Sequence, residues 1–213
     1  MLAAGSLSCQ GSPKIAEKGI EVKPDNDKQM NNSKSETAIF AGGCFWCTEA
    51  FFTELKGVEK VVSGYIGGKT ENPTYKEVCS GYSGHAEAIR ITYNPEEIAY
   101  EDLLQIFFET HDPTTLNRQG ADVGTQYRSE IFYTTEAQKA SAENFIRLLT
   151  DQKIYDKNIV TKISSATTFY PAEDYHQDYY EKNPSRYSFY RWNCGRDKRL
   201  EELWGKPEKG PAS

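Results

Sequence analysis

TAIFAGGCFWCTEAFFTEL, residues Thr37–Leu55, changes its hydrophobic period in the middle. Ala38, Ile39, Phe40 and Ala41 form a short apolar run that reads as a buried strand. Gly42 and Gly43 then let the backbone turn sharply. From Cys44 the spacing is helical, with Cys44, Cys47, Phe51 and Leu55 at i, i+3, i+7 and i+11 on about one face. Cys44 is therefore expected where a strand becomes a helix N-terminus, and free N–H groups and the helix dipole stabilise a thiolate there. Cys47 lies one turn on, close enough for a small disulfide, and Phe45 and Trp46 add an aromatic wall. Two glycines, a helix start and a second cysteine together favour a reactive thiol over a passive buried one. A zinc knuckle is weaker, because Cys79 and Cys194 each stand alone.

The rest of the composition narrows the partners. The chain has 213 residues, enough for one domain with a sizeable core plus tails. A net charge of −6 argues against nucleic acid or an anionic membrane as the main partner. No apolar run approaches the ~18 residues that a spanning helix needs. The five cysteines, Cys9, Cys44, Cys47, Cys79 and Cys194, are odd in number and scattered, which fits redox thiols better than a disulfide scaffold.

Residues 1–36 differ from the body. MLAAGSLSCQGSPK is a small apolar piece ending near Cys9, and Lys23–Glu36 is a polar linker. The piece is similar to the end of a bacterial lipoprotein signal with Cys9 acylated, although it lacks a basic n-region and Ser6-Leu7-Ser8 matches imperfectly. The expectation leans to a cell-envelope lipoprotein, with a cytoplasmic protein as the alternative.

Beyond the cysteine helix, Val58–Ile66 reads as a strand and Gly67–His85 as a long, functional loop holding Tyr75. Tyr75 is either a ring packed over the loop or a hydroxyl facing substrate. His85–Tyr93 reads as a strand whose alternation puts Glu87 with Ile89, Ile91 and Tyr93. Glu87 there is either a desolvated, proton-holding carboxyl or a strand-end group bending to solvent. Tyr100–His111 reads as an amphipathic helix stopped by Pro113. A polar loop follows, with Asp122 as a turn residue or an acceptor behind the site, and then a strand at Tyr127–Tyr133. Thr135 and Gln138 form a capping box for a helix to Leu149, Ile159–Phe169 reads as a strand, and Asp174–Lys182 as a short helix holding a structural His176. Cys194 falls in a glycine-flanked loop before a helix at Arg196–Trp204.

Five blocks in order carry a resemblance: GCFWC at Gly43–Cys47, NPTYKEVCSG at Asn72–Gly81, GHAEA at Gly84–Ala88, HDPTTLNRQGADVGTQYRS at His111–Ser129 and FYPAEDYHQDYYEKNP at Phe169–Pro184. Over residues 37–187 the chain resembles peptide methionine sulfoxide reductase of the A type. The resemblance implies an α/β (α+β) two-layer sandwich related to the ferredoxin-like plait, a mixed sheet with helices packed on it. It implies a reductase domain at 37–187, after a leader and linker at 1–36 and before an extension at 188–213. Cys44 would attack the sulfoxide sulfur, leaving methionine and a sulfenic acid on Cys44. Glu87 would protonate the departing oxygen, Tyr75 and Tyr127 would donate hydrogen bonds to it, and Asp122 would organise the polar side. Phe45 and Trp46 would hold the S-methyl group.

The resemblance further implies the S epimer of methionine sulfoxide as substrate, free or in peptides, with no bound cofactor, no metal and an external thiol reductant, thioredoxin, serving a monomer. The sulfenic acid needs a second thiol, Cys47 or Cys194. Family members often carry resolving cysteines in a glycine-rich tail, but here Arg186, Arg191, Trp192 and a helix stand instead. A Cys44–Cys47 disulfide passed to Cys194, or reduced directly, are both open, and Cys79 reads as a passive thiol. A thioredoxin-type oxidoreductase would leave Glu87, Tyr75 and Tyr127 without work. A binding module for oxidised peptides would show no turnover.

Overall fold

The apolar run at 38–41 lies inside a strand, β1 (Glu36–Gly42), whose last five residues are buried. In this computed structural model, which describes residues 35–205, β1 lies in the interior of a six-stranded sheet. The readings on Cys9, the linker to residue 34 and the tail after Gly205 lie outside the described residues. The other strands are β2 (Val58–Ile66), β3 (Ala86–Tyr93), β6 (Ser129–Tyr133), β7 (Lys162–Ser165) and β8 (Tyr170–Pro171), in the order β7-β6-β1-β3-β2-β8. Only β6 and β7 run parallel. With α1 (Phe45–Phe52) and α3 (Tyr100–Glu109), the succession β1-α1-β2-β3-α3-β6 is the βαββαβ plait, extended by one strand at each edge. A two-residue hairpin, β4 (Arg118–Gln119) and β5 (Asp122–Val123), stands apart from the sheet.

Alternation along the strands sorts side chains onto two faces. Phe40, Tyr65, Ile89, Ile91, Tyr93 and Ile131 join Phe52, Leu103, Leu104 and Phe107 in the main core. Phe40 stacks on Phe107 with ring centroids 4.9 Å apart. Each such buried side chain contributes roughly 1.5–3 kcal/mol. Ile39, Ala41, Ile66, Ala88 and Phe132 face the other way, beneath Ala166 and Phe169.

Several expected elements are redrawn by hydrogen bonds that the hydrophobic pattern does not carry. The Cys44 helix stops at Phe52, so Leu55 sits in a turn rather than on the helical stripe. The loop at Gly67–His85 contains α2 (Tyr75–Cys79), started by reciprocal bonds in which Thr74 N donates to Glu77 Oε2 and Glu77 N to Thr74 Oγ1. Tyr127 ends a 3-10 turn (Thr125–Tyr127) instead of opening a strand, because its N–H is taken by Gly124 O. At α4 (Glu136–Asp151), Thr135 caps as expected, but Gln138 Oε1 accepts from Thr134 N and not Thr135 N.

The stretch at 159–169 is not one strand. β7 ends at Ser165, and the chain crosses the second sheet face to form β8 at the opposite edge. His176 lies in a turn, and the helix there, α5, is only Tyr179–Lys182. Pro184 starts a further helix, α6 (Pro184–Cys194), which runs through residue 187 and carries Cys194 as its last residue. Gly195, at φ 73°, ends α6 and leads into α7 (Arg196–Trp204).

Candidate functional site

The turn from β1 to α1 needs one glycine in particular. Gly43 has φ 87°, and a Cβ there would lie 2.4 Å from Gln119 Cγ. Gly42 is ordinary strand backbone, paired with Ser129. Cys44 follows as the N-cap of α1, 5% exposed, and its carbonyl accepts from Cys47 N and Thr48 N. The next free N–H of the helix, Phe45 N, donates to Glu87 Oε2 at 3.1 Å.

Glu87 reaches that point because the β2–β3 register sets it opposite Tyr65, on the core face. It is 1% exposed. Burial pushes its carboxyl up to about 8, with the charge of Asp122 adding, although the Phe45 N–H and a hydrogen bond with the Cys44 thiol pull it down. At neutral pH the group holds its proton.

The expected polar residues converge on this carboxyl. Tyr75 is the first residue of α2, and its N–H donates to Glu173 Oε1 at 2.9 Å. Burial, with the Glu87 charge next, raises both the Tyr75 and Tyr127 phenols, so both remain hydrogen-bond donors. Asp122, on β5, is raised by burial and accepts from Tyr190 Oη. Phe45 is buried against Tyr65 and His176, with ring centroids at 5.8 and 5.1 Å. Trp46 stacks on Tyr179 at 3.8 Å and meets Tyr190 edge-on at 5.4 Å. Its indole N–H donates to His176 Nδ1 at 3.0 Å.

Several of these partners are invisible in the hydrophobic pattern. Tyr190 comes from α6, donates to Asp122 and lies beside the Cys44 thiol. Glu173 links Tyr65 Oη to Tyr75 N. His176, read as structural, packs against Phe45, Trp46 and Tyr75. For Glu173 and His176 the signal available was the density of Tyr beside one His in FYPAEDYHQDYYEKNP, without any spacing that assigns a face, and Tyr190 lies beyond that stretch. Beside Trp46 a groove of about 390 Å³ opens, lined also by Tyr179, Arg186, Phe189 and Tyr190.

The thiols form a row. Cys47, fully buried, is hydrogen-bonded to Cys194 on one side and Cys44 on the other. The bond with Cys194 holds the Cys47 thiol down, but the bond with Cys44 and burial outweigh it and push it up to about 12. Cys194 is raised by its bond with Cys47 and by burial, and its Sγ also lies 3.2 Å from the Arg191 carbonyl. All three are free thiols, as is Cys79, which is exposed and apart from the row. Among the described residues no group of His, Cys, Asp and Glu is arranged to hold a metal ion. A nucleophilic sulfur facing a protonated carboxyl and two phenols can drive out a leaving atom that must first take a proton.

Comparisons with known proteins agree on one kind of relative. The family model described as peptide methionine sulfoxide reductase matches residues 36–208. Peptide methionine sulfoxide reductase MsrA of Deinococcus radiodurans is 59% identical over 151 residues, 71% of this chain and 73% of that protein. The same-named protein of Haloquadratum walsbyi is 60% identical over 71% of this chain and 86% of its own length. Among solved structures, reduced Mxr1 of Saccharomyces cerevisiae superposes with TM-score 0.66 and 35% identity, covering 74% of this chain and 90% of that one. Methionine sulfoxide reductase A of Corynebacterium diphtheriae gives TM-score 0.63 and 34% identity, over 73% and 77% of the two chains.

Proposed function

The chain belongs to the peptide methionine sulfoxide reductase family, and from that premise we propose how its own residues carry out the reduction of methionine sulfoxide by thiols. Cys44 attacks the sulfoxide sulfur while Glu87 gives its proton to the oxygen, and Tyr75 and Tyr127 donate hydrogen bonds to that oxygen as charge builds on it. Asp122 keeps the polar side ordered, and the Phe45–Trp46 wall takes the S-methyl group of the S epimer. Water then adds to Cys44 Sγ as the sulfur–sulfur bond to the substrate breaks, so that methionine leaves and Cys44 is left as a sulfenic acid.

The observation that supports this most is the Glu87 carboxyl. It is buried, it holds its proton up to about pH 8, and it bonds the Cys44 thiol directly. A sulfoxide oxygen is a poor leaving group unless protonated, and a solvent-exposed carboxylate would be ionised at neutral pH.

Regeneration follows the row of thiols. Cys47 attacks the Cys44 sulfenic acid, forming the Cys44–Cys47 disulfide and releasing water. Cys194 then attacks Cys47, and an external dithiol of thioredoxin type reduces the resulting Cys47–Cys194 bond. The hydrogen bonds that join Cys47 to both neighbours support this order over a direct Cys44–Cys194 bond.

The test follows a methionine sulfoxide peptide by mass with dithiothreitol as reductant. Wild type removes the oxygen, and Cys44→Ser loses at least about a thousandfold in turnover. Undiminished turnover in Cys44→Ser would end this reading. Non-reducing peptide mapping after limiting substrate reads the relay, which fails if neither a Cys44–Cys47 nor a Cys47–Cys194 peptide forms.

A further inference from the structure

Arg196 is the buried cation that the reaction above does not use. It is 4% exposed, and its guanidinium donates only to neutral carbonyls, to Gly42 O at 2.8 Å and Thr110 O at 3.0 Å. Its neighbours Arg191 and Arg199 are each paired with a carboxylate, Asp197 and Asp112, at 2.6 Å. Among the described residues Arg196 has no such pair. A buried charge without a counter-charge is costly, so a fold that keeps one has an anion to meet it.

The ionisable groups in its field are Cys47 on α1, His111 after α3, Asp122 on β5, and Tyr187 and Cys194 on α6. His111 is held neutral by burial, down to about 3. Tyr187 is held protonated by burial, and Asp122, beyond ion-pair distance and hydrogen-bonded by Tyr190, is a standing charge in the field of Arg196 that does not change in the reaction. The thiols are the groups left to supply a new negative charge beside the guanidinium. Cys194 is the better placed, because Gly195 turns the chain so that Arg196 N, the first amide of α7, bonds its sulfur.

We propose that Arg196 is the positioning charge of regeneration, stabilising the thiolate of Cys194 as it attacks the Cys44–Cys47 disulfide. The inference rests on the relay above. In the step, the Cys47–Cys194 bond forms and the Cys44–Cys47 bond breaks. The electron pair leaves on Cys44 Sγ, which takes up a proton in place of the one Cys194 gave up. One disulfide is exchanged for another, with no net oxidation.

The experiment mixes the full chain rapidly with excess methionine sulfoxide and no reductant. Wild type releases one methionine, then a second once exchange has freed Cys44. In Arg196→Gln the first methionine appears within about threefold of the wild-type rate, while the second slows about tenfold at neutral pH and recovers toward pH ~9 as the thiolate fraction rises. Arg196→Lys keeps the charge and restores most of the second phase. A second methionine as fast in Arg196→Gln as in wild type overturns the role of Arg196 alone. Equal slowing of both phases, with a lowered melting temperature and no rescue by lysine, overturns it in favour of a structural anchor. Wild type releasing a single methionine, with only a Cys44–Cys47 peptide on mapping, overturns the relay and this proposal together.

Discussion

Cys44 and Cys194 each stand where a helix begins, Cys44 as the N-cap of α1 and Cys194 one residue before the N-cap of α7. Both are buried, but the Phe45 amide that follows Cys44 is taken by Glu87, while Cys194 is at once the last residue of α6 and the approach to α7. Their surroundings diverge from there. Cys44 faces the protonated Glu87 and the phenols of Tyr127 and Tyr190. Cys194 faces the guanidinium of Arg196 and the thiol of Cys47. A proton donor beside a sulfur suits loss of an oxygen, and a fixed cation beside one suits disulfide exchange. What a thiol does is set by the charges and protons facing it.

The contrast breaks most visibly at Glu87. In the proposed mechanism Glu87→Ala lowers kcat/KM for methionine sulfoxide by about 10²–10⁴, and Glu87→Gln, which still donates a hydrogen bond, loses less. Wild-type kcat/KM falls as pH rises through about 8, where Glu87 gives up its proton, and the Glu87→Gln profile is flat there. A sulfoxide step indifferent to Glu87→Ala would make the two thiol sites equivalent.

The phenols sharpen the same contrast. Tyr127→Phe and Tyr75→Phe each lower kcat of the sulfoxide step by about tenfold or more, as loss of one donor to a developing oxyanion does, and leave disulfide exchange at Cys194 unchanged. Single-turnover methionine release separates the two effects.

The smallest effect concerns α1 itself, whose side of the molecule buries carboxyls where the Cys194 side buries a cation. Glu49 is fully buried on α1, and desolvation raises its carboxyl to about 7. Its folded value is above the unfolded one, so its stability contribution is complete in acid and is lost as pH rises through about 7. Between pH ~5 and ~8 the wild type should lose about 2 kcal/mol more than Glu49→Gln in denaturant unfolding. Equal slopes would show that Glu49 titrates in the fold as it does in the unfolded chain.

Much of this was legible along the chain. The period change at Gly42–Gly43 located β1, the turn and the helix start, because strand and helix repeats differ within a few residues. Alternation along β3 put Glu87 on the core face, since one face of that strand is all large apolar side chains. The segments that failed were those where the chain follows hydrogen bonds rather than a periodic face. α2 was hidden in a polar loop although Thr74 and Glu77 cap it, and α6 was hidden because its aromatic residues occur on all sides.

The sequence alone determined a thiol at a strand-to-helix turn, a carboxyl on an apolar strand face and a set of motifs ordered like one family's. It could not decide that Tyr190 lies beside the Cys44 thiol, that Cys194 meets Cys47, or that Arg196 lies near the thiols with no carboxylate in ion-pair distance among the described residues. Those depend on where α6 and α7 dock, which is set by long-range contacts such as Ala121 N to Cys194 O and Arg196 to Gly42 O. Periodicity gives the face a residue occupies on its own element, and only tertiary packing gives the partner across from it.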